Sequence, residues 1–199
     1  MPNEGKYVVP LPEFVSVPAR LAQVDDDADA RLVTHCEQEH ADNASLKAYC
    51  MRQQREAVRK LRAATRGDAS ELAFMLLRNH CAAEHGSDAN YSLWEYCEGM
   101  ERDALRKLNA PAPASVPEAV FNDIRRKCAA EWPDRMGMRE YCESNEHKGY
   151  AKVHSPGPGD IPAAVIESIR SDCARRRPDD FVAQGYCQDE GIASYRRGG

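Results

Sequence analysis

The residues of this chain best equipped for chemistry are its eight cysteines, and they recur in register. Cys36, Cys81, Cys128 and Cys173 are each followed by a Tyr-Cys pair that supplies Cys50, Cys97, Cys142 and Cys187. Such pairs could form cystines, ligate a metal as thiolates, or exchange electrons. His40 and His85 stand four residues after Cys36 and Cys81, on the same helical face as the sulfur. Cys36, His40 and Cys50 would give zinc three acceptable ligands, and Cys81, His85 and Cys97 would give a second set. Neither set has an evident fourth ligand, and units three and four carry Trp132 and Arg177 where an imidazole would be needed. No Cys-x-x-Cys occurs, and no phosphate-binding, dinucleotide or deaminase signature accompanies the cysteines. Cystine formation within each unit is the pairing that explains why both spacings are copied four times. The reading is four intramolecular disulfides, no metal, no cofactor and no catalytic residue. The zinc or thiol-redox sensor is the alternative.

The first cysteines of successive units lie 45, 47 and 45 residues apart, the signature of an internal repeat of supersecondary units. Val116 to Cys128 matches Ile161 to Cys173 along its length, with Pro117 and Pro162 where the first turn of a helix accepts proline. Leu32, Leu77, Ile124 and Ile169 precede the first cysteines by four residues, which places both on one buried stripe. Leu46, Leu93, Met138 and Ala183 stand in the same relation to the second cysteines, and Val58, Leu105, Tyr150 and Tyr195 follow eight residues later. Each unit therefore reads as two helices. Between them lie Ala41-Asp-Asn, Gly86-Ser-Asp, Pro133-Asp134 and Pro178-Asp179, where an aspartate can cap the second helix. Tyr49, Tyr96, Tyr141 and Tyr186 are expected to pack beside the sulfur bridges.

The predicted fold is all-α, a tandem array of four disulfide-stapled helical hairpins at 24–64, 68–109, 116–153 and 161–197, preceded by an extended N-terminal arm at 1–23. Hairpins one and two should pack together, because only a short segment around Gly67, read as a helix stop, separates them. Asn109 to Ser115 and His154 to Asp160 read as linkers, so units three and four are expected to stand separately. Leu, Ile, Val and Phe make up about 16% of the chain, a level at which covalent closure is useful. In the chain-entropy model each such loop contributes about 3 kcal/mol.

The arm holds four prolines among Tyr7, Val9, Leu11, Phe14 and Val15, so it cannot be helical and has apolar residues to bury on a partner. Docking through this arm favours a subunit of a larger assembly, with homo-oligomers included. The net charge of -5 and the placing of basic pairs at helix ends argue against nucleic acid. No cleavable leader, membrane-spanning run or lipidation box is legible. Since cystines persist in oxidising surroundings, three settings fit: a virion oxidised after release, a periplasmic or secreted module, or a cytoplasm in which the thiols stay reduced. Asn43-Ala-Ser45 and Asn90-Tyr-Ser92 match the glycosylation acceptor but read as turn residues.

Cys128-Ala-Ala-Glu-Trp-Pro-Asp134 followed by Met138-Arg-Glu-Tyr-Cys142 resembles a short repeat of uncharacterised proteobacterial and phage proteins. Tyr49 to Leu61 is similar to the segment that follows that repeat. The resemblance covers the four hairpins and not the arm; units one, two and four depart in part from the Trp-Pro-Asp turn. Such repeats have no assigned activity, so the resemblance brings no catalytic residue with it; the expected function, a cementing, decorating or connecting subunit of a larger particle such as a phage virion, rests on the stapled hairpins and the arm.

Overall fold

A computed structural model describes residues 20–67 and 69–198. The arm residues Tyr7, Val9, Leu11, Phe14 and Val15 lie outside the described residues. The described residues form eight helices and no strand: α1 (Ala28–Glu39), α2 (Ala44–Ala63), α3 (Glu71–His85), α4 (Tyr91–Leu108), α5 (Glu118–Glu131), α6 (Met136–Val153), α7 (Ala163–Arg176) and α8 (Phe181–Gly198). Each consecutive pair is a hairpin closed by one disulfide. Cys36–Cys50, Cys128–Cys142 and Cys173–Cys187 have Cα separations of 5.8 Å, and Cys81–Cys97 has 5.7 Å. These values sit at the preferred cystine spacing, so facing helices meet where the sulfurs need them.

Local chemistry starts the helices. Asn43 Oδ1 accepts the Ser45 and Leu46 N–H groups at 3.1 and 3.0 Å, and Asn90 Oδ1 accepts from Leu93 at 3.2 Å. Both asparagines are thus helix caps, in keeping with turn chemistry. Ser70 caps α3 through the Ala73 N–H at 3.1 Å. Asp180, one residue beyond the expected Asp179, caps α8 by accepting from Ala183 at 2.8 Å. Gly67 does adopt a left-handed φ of +56°, but it does so in the turn that follows α2, whose last helical residue is Ala63.

The helices fall into two compact units. The first holds the described residues up to Asn109 together with Trp132–Met138. Its core has two apolar clusters. Leu32, Ala57, Val58, Leu61, Cys81, Tyr91 and Trp94 form one, across all four of its complete helices. Phe74, Leu76, Leu77, Ala104, Leu105, Leu108 and Met136 form the other. Hairpins one and two share this core, in line with the short connection between them. The chain just before α1 belongs to it too: Ala22 N–H donates to Asn79 Oδ1 at 2.6 Å, and Asn79 Nδ2 donates to the Arg20 carbonyl at 2.8 Å.

The second unit holds Ala110–Glu131 and the chain from Arg139 onward. Hairpins three and four were expected to stand separately, and instead they pack on one another. Phe181 meets Tyr150 edge to face at 5.1 Å, and the Phe181 N–H donates to Glu146 Oε2 at 2.8 Å. The contact is close because Gly149 has no side chain: a Cβ there would lie 2.6 Å from the Phe181 carbonyl carbon. The linker is packed as well, since a Cβ on Gly157 would meet Ile166 at 2.8 Å. Proline and glycine mark where helix stops, but they do not prevent the stopped segment from docking.

Candidate functional site

The repeated features of the hairpins occupy three places: around the cystine, on the buried face beside it, and on the opposite, solvent side. Around the cystine, Cys36, Cys81, Cys128 and Cys173 are almost fully enclosed, at 0, 0, 0 and 2% exposure. The described cysteines are all oxidised, so thiolate ligands for zinc are absent in this state. The histidine nearest to each sulfur also differs from the expected one. His35, Glu39 and Cys50 place a donor atom each within 4.8 Å of one another, and His80, Glu84 and Cys97 do the same. His40 falls outside the first group because it is the C-cap of α1, with φ -129° and ψ 42°, so the four-residue helical rule stops applying to it. His40 and His85 turn instead toward the preceding glutamates, with Nε2 at 3.9 Å from Glu39 Oε2 and 3.8 Å from Glu84 Oε2.

Beside the cystine, the structure reveals a set of buried polar groups that copy from repeat to repeat. Three residues before the first cysteine stand Arg78, Arg125 and Arg170. Each donates Nη2 to a carbonyl at the end of the preceding hairpin: Leu61 at 2.9 Å, Ala110 at 3.2 Å, and Ser155. One residue after the second cysteine, Glu98 and Glu143 face the first two of these arginines, at 2.9 and 3.3 Å, and Gln188 holds the place in repeat four. Burial pushes both glutamates above the ordinary carboxylate range, against the pull of the neighbouring guanidinium groups. Burial likewise lowers Arg78. Trp94 Nε1 donates to the same Glu98 oxygen at 2.9 Å, which ties the charge pair into the apolar core.

A second copied group lies four residues after the second cysteine. Gln54 Oε1 accepts the Ser92 N–H at 3.0 Å, Glu101 Oε2 that of Gly137 at 3.2 Å, and Glu146 Oε2 that of Phe181 at 2.8 Å. In each case the acceptor satisfies an otherwise orphaned donor in the first turn of a later hairpin's second helix. Repeat one has Val33 and Met51 at the arginine and glutamate positions, and both pack on its apolar cluster. Repeat four has Gly191 at the acceptor position. The polar groups are thus present where one hairpin is joined to the next and absent at the two outer positions of the array. Charged residues at a fixed register to the cysteines, on the face that includes the sulfur, were the sequence signal for them.

On the solvent side stand the tyrosines. Tyr49, Tyr96, Tyr141 and Tyr186 do not pack beside the sulfur; they are 53, 64, 63 and 68% exposed. The cause is helical geometry: a residue adjacent to a buried cysteine is rotated about 100° from it and leaves the buried stripe. Leu46 and Leu93 are also exposed, at 48 and 45%, because they lie in the first turns of α2 and α4, beside the loops. In the second unit Tyr141 and Tyr186, one from each hairpin, line a common groove with Lys148 and Lys152. Among the described residues no helix is long and apolar enough to cross a membrane.

No family model, no curated protein and no solved structure matches the chain. Its function must therefore be argued from its own residues.

Proposed function

We propose that this chain is a non-catalytic structural component of a larger protein assembly, a cementing or connecting subunit that works in an oxidising setting such as the surface of a phage virion. The observation that supports this reading is the tyrosine ahead of each second cysteine, exposed in all four repeats. A large ring kept on the solvent side four times over contributes nothing to the core. Tyrosine is, however, among the residues that anchor protein interfaces, where it offers apolar area and a polar tip at small entropic cost. In this reading the cystine-closed hairpins hold the rings at fixed intervals, and the arm with Tyr7, Val9, Leu11, Phe14 and Val15 adds a second contact.

The test is sedimentation of the chain from its native source without reductant. The wild type should travel with a particle much larger than itself. A variant with Tyr49, Tyr96, Tyr141 and Tyr186 all changed to Ser should keep its helical circular dichroism and its four cystines yet lose that association. A wild-type chain that sediments as a free monomer from every extract would sink the proposal.

A further inference from the structure

The hairpins are joined by one contact made three times: the turn of a hairpin sits on the first helix of the hairpin before it. Turn two lies on α1, where Arg31 Nη2 donates to the Gly86 and Ser87 carbonyls at 2.8 Å each and Leu32 shares a core with Ala89 and Tyr91. Turn three lies on α3, where Met136 joins the cluster of Ala73 and Leu77, and Arg135 Nη2 stands 3.6 Å from Glu84 Oε1. Turn four lies on α5, where Pro178 and Phe181 border a cleft with Val120 and Ile124, and Asp180 Oδ2 is 3.8 Å from Lys127 Nζ. The same face of α7 carries no turn among the described residues. It is an open groove bordered by Ser168, Ile169 and Arg176 of α7 and by Gly191 and Ser194 of α8. Ile169 is only half-buried there, whereas its equivalents Leu32, Leu77 and Ile124 are 0, 0 and 3% exposed.

One turn is likewise left open: Ala41 to Leu46, in the turn of hairpin one and the start of α2, are all exposed. We propose that turn one of a second copy of this chain docks in the α7 groove, repeating between molecules the joint that the chain makes within itself. Two features of turn one fit that groove. The internal joints place an acceptor, Gln54, Glu101 or Glu146, on the receiving hairpin for an N–H of the arriving helix. The groove has Gly191 at that place, and α2 needs no acceptor there, because its own Asn43 already takes the Ser45 and Leu46 N–H groups. Charge also matches. Glu84, three residues after its cysteine, faces Arg135 of the arriving turn; α7 has Arg176 at that position, and turn one brings Asp42 beside the place of Arg135. The two surfaces differ, so the contact is head-to-tail and can be repeated from copy to copy. Ala44 stands where the internal joints have Tyr91, Met136 and Phe181, so less apolar area is covered and the association is reversible. The joint uses neither the exposed tyrosines nor the arm, and it does not rest on the particle-bound role.

The experiment is sedimentation equilibrium of the purified, oxidised full chain over rising concentration. The wild type should show a reversible increase in mass. Asp42→Arg and Arg176→Glu each put like charges across the joint and should weaken association about fivefold, the scale of an exposed ion pair. An equal mixture of the two variants should recover the wild-type mass, because every turn then meets a groove of opposite charge. The variant with all four exposed tyrosines changed to Ser should associate as the wild type does, so this joint and the particle-bound role fail separately. Circular dichroism and thiol titration check that each variant is folded and oxidised. The proposal is overturned if the wild type stays monomeric at every concentration, if either charge variant associates as well as the wild type, if their mixture is no heavier than its components, or if the tyrosine changes abolish association.

Discussion

The two units hold the same hairpins together by different means. In the first, a staple adds to a real apolar core: Trp94, Phe74, Leu61, Leu76, Leu77, Leu105 and Leu108 are all enclosed. In the second, close backbone approach at Gly149, ring contacts around Tyr150 and Phe181, and buried charge at Glu143 and Glu146 carry much more of the packing. The repeat therefore fixes the cystine and the polar joints, and leaves the apolar filling free to vary. Where the filling is thin, the cystine matters more to the folded state.

Reduction should show this difference most strongly. Trp94 is enclosed in the first unit, so in a Trp132→Phe background the fluorescence reports on that unit alone while far-ultraviolet circular dichroism reports on all helices. Each cystine contributes about 3 kcal/mol in the chain-entropy model. With reductant, or with Cys128, Cys142, Cys173 and Cys187 changed to Ser, roughly the second unit's share of helical signal should be lost under conditions that leave the tryptophan emission folded. Simultaneous loss of both signals would show that the apolar core of the first unit is not self-sufficient.

The next largest effect concerns Arg78. Arg78→Val leaves Glu98 buried without its main partner and should cost about 3 to 5 kcal/mol in urea unfolding. Adding Glu98→Met imports the pair that repeat one already uses, Val33 and Met51, and should restore most of that loss. About 1 kcal/mol should stay missing, because Trp94 Nε1 then has no acceptor. A double variant as unstable as the single one would mean that the charge pair is irreplaceable in repeat two.

Glycines sharpen the comparison further. Gly149→Ala in the second unit would drive a methyl group into the Phe181 backbone and should cost about 1 to 3 kcal/mol. Gly99→Ala in α4 meets nothing within 4 Å and should stabilise the first unit by about 0.5 to 1 kcal/mol through helix propensity. Thermal melts of the two variants, followed by the same pair of optical signals, separate these outcomes.

Acidity gives the smallest contrast. Burial raises Glu98 and Glu101 in the first unit and Glu143 in the second, so the folded chain takes up protons there before the unfolded chain does. That contribution is present below the ordinary carboxylate value and is lost as pH rises through the raised one. Burial and the nearby Arg125 lower His147, which acts in the opposite sense: its contribution is present above the ordinary histidine value and is lost as pH falls. Urea midpoints at about pH 5 and pH 7 should therefore show the first unit gaining on acidification and the second pulled both ways. Glu98→Gln should flatten the response of the first unit.

Much of this architecture was legible in the sequence because cysteine spacing and helical period agree. The hairpins, their pairing and the join between the first two follow from Cys36, Leu32 and their equivalents. The outward tyrosines do not, because a rotation of about 100° per residue carries the neighbour of a buried cysteine off the buried stripe. The spacing points to His40 and His85, whereas His35 and His80 stand nearer the sulfurs; for His40 the four-residue rule fails because it lies one residue past the end of α1. The buried arginines and glutamates are hard to read for a different reason: charge ordinarily marks a solvent face, and only the copied register betrays that here it does not. The docking of hairpin four depends on the bare backbone of Gly149, and an absent side chain leaves little trace in a hydrophobic pattern.

The cystines also set how far the chain can lengthen under load. Each closes a separation of 14 or 16 residues and keeps its ends 5.7 or 5.8 Å apart. Drawn out straight, such a segment would span about 50 Å, and that length stays locked away even if every helix melts. Pulled from its two ends, the chain can pay out only the residues between the loops, so it resists as a short tether while its noncovalent packing gives way.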